Sequence, residues 1–384
     1  MQMRRCTNRF ALTRSGWDTC RRATICSMTR SPLLRPRTHL GSQTATIAGR
    51  DPSVERDARP ANAGGSIMGN DLITRAAQRV AELKGYFVDH ERFVPLAEGF
   101  SILAEKRLVD IQTGRISEAQ GLALSGHSGA GKSAAITHLL AQEGQRLADR
   151  GYGDSTIISL RVPSPATLKF VGQMLLRALG YPIGADRHAW YIWDLVQHHL
   201  KERRVLFVHL DEAQDLASRG TKHELDSVTS MLKTLMTDPE WPVGIILSGT
   251  TELEDILNHD HQLARRMKTV RFESLSPAAY SDDILDLLEK YCELAKLEPE
   301  EDVLELSHGE RVVHAAANQF GIAIVLILDA IEDAYLQGQE TLSRHNFIRA
   351  YHRRTSCDAE FNPFVVPDFM RIDARQVFSR ENRT

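Results

Sequence analysis

The octapeptide Gly126-His127-Ser128-Gly129-Ala130-Gly131-Lys132-Ser133 constrains this chain more than any other stretch. It satisfies every fixed position of the phosphate-binding pattern G-x-x-x-x-G-K-[ST]. Glycines let the backbone curl until successive N–H groups converge on one phosphate cluster, where side chains would collide. Lys132 then sets a positive charge against β- and γ-phosphates, and the Ser133 hydroxyl suits a Mg2+ ion. A helix opening there adds the positive end of its dipole. The flanks agree: Gly121-Leu122-Ala123-Leu124-Ser125 reads as a short buried strand, and Ala134 to Leu147 as a helix. All eight residues are therefore candidate ATP contacts, because a chance glycine loop has no reason to sit between a strand and a helix.

A second motif completes the chemistry. Val205-Leu206-Phe207-Val208-His209-Leu210 is an apolar strand-like run ending in Asp211-Glu212-Ala213-Gln214. A carboxylate at the end of a buried parallel strand reaches the metal shell beside a phosphate loop, so Asp211 and Ser133 are the candidate Mg2+ ligands. Glu212 is placed to orient or deprotonate an attacking water. The competing reading, acidic helix-capping residues at an ordinary strand end, loses force once the loop is present. Adjacent Asp and Glu favour nucleotide hydrolysis over phosphoryl transfer to a small metabolite.

Strands alternate with helices between these motifs and beyond them. Strands are expected at 121–125, Thr156 to Val162, 205–210, Val243 to Ser248 and Thr269 to Phe272. Helices are expected at 132–148, Pro165 to Leu179, Trp190 to Arg203, 222–237 and 251–258. Interleaving of this kind specifies an α/β fold with a parallel sheet covered on both faces. After Leu275-Ser276-Pro277 only helical periodicity remains, to about Arg354, with Ser281 and Ser343 as expected caps. Four segments follow: a basic stretch 1–67, a nucleotide-binding core 68–275 with N-terminal helices, a small α-helical domain 276–355 and a tail 356–384. Asn70-Asp71 is expected to cap the first amphipathic helix.

Charge is uneven. Residues 1–60 hold twelve arginines, no lysine and four acids, a net +8, against −11 for the rest. The basic stretch reads as disordered: an organelle transit peptide, sequence upstream of a true start at Met68, or a DNA-touching tail. An acidic body does not advertise nucleic-acid binding, so contact with DNA would rest on local basic patches or on assembly. No apolar run approaches a membrane span, and the five cysteines show no C-x-x-C spacing. The cysteine spacing fits a reducing compartment, and a cytoplasmic location is expected.

Other candidates are weaker alone. The fourth strand ends in Leu247-Ser248-Gly249-Thr250-Thr251-Glu252, where Ser248 or Thr250 would hold the attacking water or γ-phosphate. Arg265 and Arg266, just before the last strand, would supply charge to a neighbouring protomer's nucleotide as an arginine finger. Surface arginines on a solvated turn are the plain alternative. His198-His199 reads as a solvated helix face rather than a metal site, because adjacent helical residues diverge. Trp190 and Trp193 read as packing residues, and Arg161 and Lys169 as possible backbone-phosphate contacts.

Together these features resemble a AAA+ ATPase with a helical lid, and more narrowly the TniB-type transposition ATPases. The narrowing residues are the Pro-x-Pro segment Val162-Pro163-Ser164-Pro165-Ala166-Thr167 and the run Gln262-Leu263-Ala264-Arg265-Arg266; Leu179-Gly180-Tyr181-Pro182 and Asn362-Pro363-Phe364 also resemble the family. The resemblance covers about Asp71 to Phe364. It implies an ATP- and Mg2+-dependent enzyme that assembles into rings or helical filaments on double-stranded DNA, recruits a DDE-type transposase and disassembles on hydrolysis. One departure stands out: the lid turn that carries a γ-phosphate-reading arginine in many AAA+ proteins is here Phe320-Gly321-Ile322-Ala323-Ile324. Two other functions remain open at this stage, an ATPase serving secretion or replication-initiator assembly through protein contacts, and a nucleotide switch with negligible turnover.

Overall fold

The computed structural model describes residues 64–153, 156–184, 187–217 and 220–375, with side chains from residue 70 onward. Residues 1–63 of the basic stretch lie outside the described residues, while residues 64–67, expected to be disordered, begin a helix. Five parallel strands form the central sheet: β1 (Gly121–Gly126), β2 (Ile157–Arg161), β3 (Phe207–Asp211), β4 (Gly244–Gly249) and β5 (Met267–Phe272). Their spatial order is β2-β3-β4-β1-β5. The fold is α/β, as the alternation dictates.

Each face of the sheet buries a separate apolar core. On one side α2 (Val94–Thr113) and α3 (Lys132–Asp149) cover Leu122, Leu124, Ile246 and Val270. On the other, α4 (Leu168–Ala178), α5 (Ala189–Glu202), α6 (Lys222–Met236) and α7 (Leu253–His259) cover Ala123, Leu160, Val208 and Leu247. Successive residues of β1 and β4 thus feed opposite cores, which is why these strands read as continuous apolar runs. Local chemistry sets the helix ends. The Thr167 hydroxyl accepts from the Phe170 amide and that of Thr221 from the Glu224 amide, while Asp260 caps the short α8 (His261–Ala264).

Past β5 come α9 (Pro277–Ala295), α10 (Leu306–Ala315), α11 (Phe320–Leu336) and α12 (Arg344–Thr355). Two short strands, β6 (Glu298–Pro299) and β7 (Thr341–Leu342), pair in parallel among them and break the all-helical expectation. The core of these helices also takes in Ala76, Val80 and Leu83 of α1 (Gly64–Lys84). Asn70-Asp71 consequently lies inside α1 rather than capping it. Ser281 is likewise no cap: α9 opens with Pro277 at its first turn, and Ser281 is buried within it. Ser343 does sit at the start of α12, its amide and hydroxyl both donating to Asn346 Oδ1 at 2.8 and 3.0 Å.

The tail folds back on the helices. Arg311 donates to the carbonyls of Pro363 and Val366, Asn362 Nδ2 donates to the Ile348 carbonyl, and Phe364 is buried beside Phe347. Among the described residues no single helix is long and apolar enough to cross a membrane.

Candidate nucleotide site

The phosphate loop leaves the carboxyl end of β1 and runs straight into α3. Gly129 and Gly131 have φ of 83° and 90°, left-handed values that strain any residue with a Cβ. The amides of Gly129, Gly131, Lys132 and Ser133 have no acceptor among the described residues, so a set of donors at a helix N-terminus stands open. Lys132 Nζ folds over the loop, donating to the carbonyls of Gly126 at 2.7 Å and His127 at 2.9 Å. Burial lowers its pKa, against the pull of Glu212, Asp211 and Glu252. Ser133 is exposed on the first turn of α3. The cradle therefore fits an anionic polyphosphate.

Two strands away the acidic end is tightly tied. The register sets Arg161, Asp211 and Ser248 side by side at the ends of β2, β3 and β4. Ser248 Oγ donates to Asp211 Oδ1 at 2.6 Å, His209 Nε2 lies 2.8 Å from Ser248 Oγ, and His209 Nδ1 lies 2.8 Å from Ser159 Oγ. With Ser248 donating to the carboxylate, the consistent tautomer has Nε2–H donating to Ser248 and Nδ1 accepting from Ser159. Asp211 Oδ2 has no hydrogen bond among the described residues and is the oxygen left for a metal. Ser248 is fully buried with its hydroxyl taken by Asp211, so it positions that carboxylate and is not placed to hold water. Thr250 is what remains of that pair, its amide donating to Gln214 Oε1 at 3.1 Å. Its hydroxyl is the chief cause of a lowered Glu252 pKa.

Burial pushes the His209 pKa down to about 4, so the imidazole is neutral at pH 7. The unfolded chain takes up this proton near pH 6.5 and the folded chain only near 4, so the contribution to stability is complete above 6.5 and is lost as pH falls toward 4. Denaturant unfolding at pH 7 and pH 5 checks this: the acid-induced loss should be smaller in His209→Asn by roughly 2 kcal/mol.

Glu212 adopts φ 54°, a costly conformation for a residue with a side chain. Its Oε1 lies 3.1 Å from Arg161 and its Oε2 accepts from Gln214 Nε2 at 2.9 Å. Arg161 thus reaches this carboxylate within its own chain rather than standing free for a phosphate backbone.

The helical segment closes against the loop. The Ile322 amide donates to the Gly129 carbonyl at 3.2 Å, and a Cβ on Gly321 would lie 2.7 Å from that oxygen and 2.8 Å from the Gly131 nitrogen. The arginine-free turn is therefore the start of α11, pressed on the phosphate loop. A cleft of about 400 Å3 opens beside it, lined by His90, Arg92, Tyr280, Asp283, Leu287 and Phe320. The Arg92 guanidinium lies 5.2 Å from the rings of both Phe272 and Phe320 and donates to the Glu273 carbonyl. Apart from Phe320 of the lid turn, none of these residues stood out in the sequence. Arg92 and Glu273 are 181 positions apart, and no spacing rule links them.

The paired arginines divide. The Gly121 amide donates to the Arg266 carbonyl, which sets them at the opposite end of β1 from the phosphate loop, beyond reach of their own chain's nucleotide. Arg266 is buried, pairing with Glu118 at 2.8 Å and donating to the Gln262 carbonyl at 2.5 Å. Arg265 is exposed, and its side chain makes no hydrogen bond or ion pair among the described residues. Elsewhere, His198, His199 and Glu202 bring ligand atoms within 4.8 Å of one another, closer than helical divergence suggested, but His199 is already bonded to Glu202 and stacked on Tyr181. Trp190 is exposed rather than a packing residue, whereas Trp193 packs against the α4–α5 core.

A phosphate loop after β1, an acidic end on β3, a polar β4 end between them and a helical segment on the loop define a P-loop protein of the AAA+ class. The chain belongs to the TniB family: the model described as "Bacterial TniB protein" matches residues 85–276, half of the sequence. Among solved structures it is similar to Aeropyrum pernix ORC1 in complex with DNA, at 17% identity and a TM-score of 0.52, over 70% of this chain and 66% of that one. It thus spans just under two thirds of that structure. Aeropyrum pernix ORC2, with ADPNP and ADP, gives 19% identity and a TM-score of 0.49 over 68% of both chains. The Thermotoga maritima RuvB Holliday junction branch migration motor gives 13% and 0.41 over 71% of this chain and 72% of that one, and neither of these two carries weight. No curated protein sequence matches.

Proposed function

We propose that this protein is a DNA-bound ATPase that regulates transposition: it assembles on double-stranded DNA with ATP, recruits a DDE-type transposase and disassembles on hydrolysis. Membership of the TniB family is the observation that carries the reading, and the open cradle beside Asp211 and Glu212 supports it. The loop amides and Lys132 bind the phosphates, and the cleft between Arg92 and Tyr280 takes the base. Ser133 and Asp211 Oδ2 would hold Mg2+, which supplies charge against the β- and γ-oxygens. Glu212 orients and deprotonates the attacking water once its carboxylate leaves Arg161, and Thr250 helps hold that water. Arg265 reaches a neighbour's nucleotide, which makes the enzyme an oligomer, a ring or a helical filament.

Gel-shift titration tests the reading. It predicts binding to duplex DNA of any sequence, dependent on ATP or a slowly hydrolysed analogue and weakening steeply with salt. No shift with ATP at any protein concentration would remove DNA from the account.

The arginine pair gives a second check. Arg265→Ala should lower kcat on DNA by about a hundredfold or more and leave ATP affinity unchanged. Arg266→Ala should instead lower the free energy of unfolding, by roughly 1–3 kcal/mol, because it strips a partly buried ion pair. Normal turnover by Arg265→Ala at saturating protein would end the trans-acting assignment.

A further inference from the structure

A larger cleft, of about 540 Å3, opens at the amino-terminal end of the sheet, where β1, β3 and β4 begin. It lies at the far end of β1 from the phosphate loop. Leu103, Lys106, Arg107, Asp110, Glu118 and Phe207 are among its walls. Arg107 is the unusual member. Only 6% of it is exposed, and among the described residues it makes neither a hydrogen bond nor an ion pair. Its Nε is buried without an acceptor, and its guanidinium carbon lies 5.0 Å from the Trp241 ring.

A guanidinium carries five donors and stays charged, so burying one without an acceptor is costly. A buried orphan donor calls for a reason. The acids around the cleft do not supply the missing partner. Glu105 is held by Arg146 and Arg150, and Glu118 by Arg266 at 2.8 Å. Asp110 accepts from Ser117 and acts on Arg107 only across space. Lys106 donates to the neutral Gln120 Oε1 at 3.2 Å and has no carboxylate of its own. Two cations without ion pairs therefore face a cleft whose remaining lining includes the apolar Leu103, Val109 and Phe207.

We propose that this cleft binds a carboxylate carried on an apolar body, the carboxylate pairing with Arg107 and Lys106 and the body resting on Leu103, Val109 and Phe207. The volume suits a guest the size of an arylalkanoic acid or the last residues of a peptide chain. Both sources present the same chemistry, an apolar group a few bonds from a carboxylate.

Calorimetric and saturation-transfer NMR titrations of the full chain test this with two probes, 3-phenylpropionate and the tripeptide Gly-Gly-Phe, each against its own amide. At least one acid should bind, with its amide weaker by about tenfold or more, since a charge-assisted pair is lost. The better acid identifies the source, free small molecule or chain end. Arg107→Met should weaken the acid by a similar factor while holding or raising the unfolding midpoint, because a neutral side chain over Trp241 replaces an unpaired buried charge. Should that variant not fold, Arg107 serves the fold and the proposal falls. It falls equally if neither acid binds at millimolar concentration, if acid and amide bind alike, or if Arg107→Met binds the acid as wild type does.

Discussion

Lys132→Ala is expected to lose ATP binding by about a hundredfold or more. The ammonium is the one cation of the phosphate loop, and it is half-buried between the loop carbonyls and the acidic groups of Asp211, Glu212 and Glu252. With nucleotide bound, those three carboxylates face several phosphate charges across a short gap. Without the lysine, like charges meet in a partly desolvated space, where repulsion is strong. The loop amides remain, yet they are neutral donors and cannot offset that field. Equilibrium binding of a fluorescent ATP analogue measures the loss, and an unchanged unfolding midpoint shows that the fold has survived. Affinity within about threefold of wild type would mean that the phosphates lie elsewhere.

Glu212→Gln should separate binding from turnover. Gln keeps the shape of Glu, and its one remaining oxygen still accepts from either Gln214 or Arg161, while its NH2 leaves the other donor without that acceptor. What disappears is the base proposed to act on the attacking water, and kcat is expected to fall by about a hundred- to ten-thousandfold. ATP should still bind, and DNA complexes formed with ATP should last longer because the step that dissolves them is slowed. Single-turnover hydrolysis and complex lifetimes on DNA check both halves. A nucleotide switch with negligible turnover would show little change in either.

The two halves of the site differ in how far they could be read before folding. The phosphate loop was legible because its chemistry is local: eight consecutive residues, each constrained by one phosphate cluster. Asp211 was legible because a long apolar run ending in an acid marks the end of a buried strand. Strand positions followed from the same alternation, with ends shifted by a residue or two, as at β3, which starts at Phe207 rather than Val205.

Partners brought together by the sheet and the helical segment were not legible. Nothing in the pattern tells that Ser248 spends its hydroxyl on Asp211, or that His209 and Ser159 continue that chain. Those contacts depend on strand order, which the alternation leaves open. The same holds for Arg266, whose partner Glu118 lies 148 positions away, and for Arg92 beside Phe320. Ser343 caps α12 as expected, but Ser281 failed as a cap for a different reason. Ser281 has the right residue type, but Pro277 starts α9 earlier because its missing N–H costs nothing in the first turn.

The most direct test of the whole account is ATP binding to the purified chain with and without Mg2+, for wild type and Asp211→Asn. Tight binding strengthened by Mg2+ in the wild type, and a much smaller Mg2+ effect in the variant, is the predicted result. Failure of the wild-type protein to retain ATP in the presence of Mg2+ would contradict it.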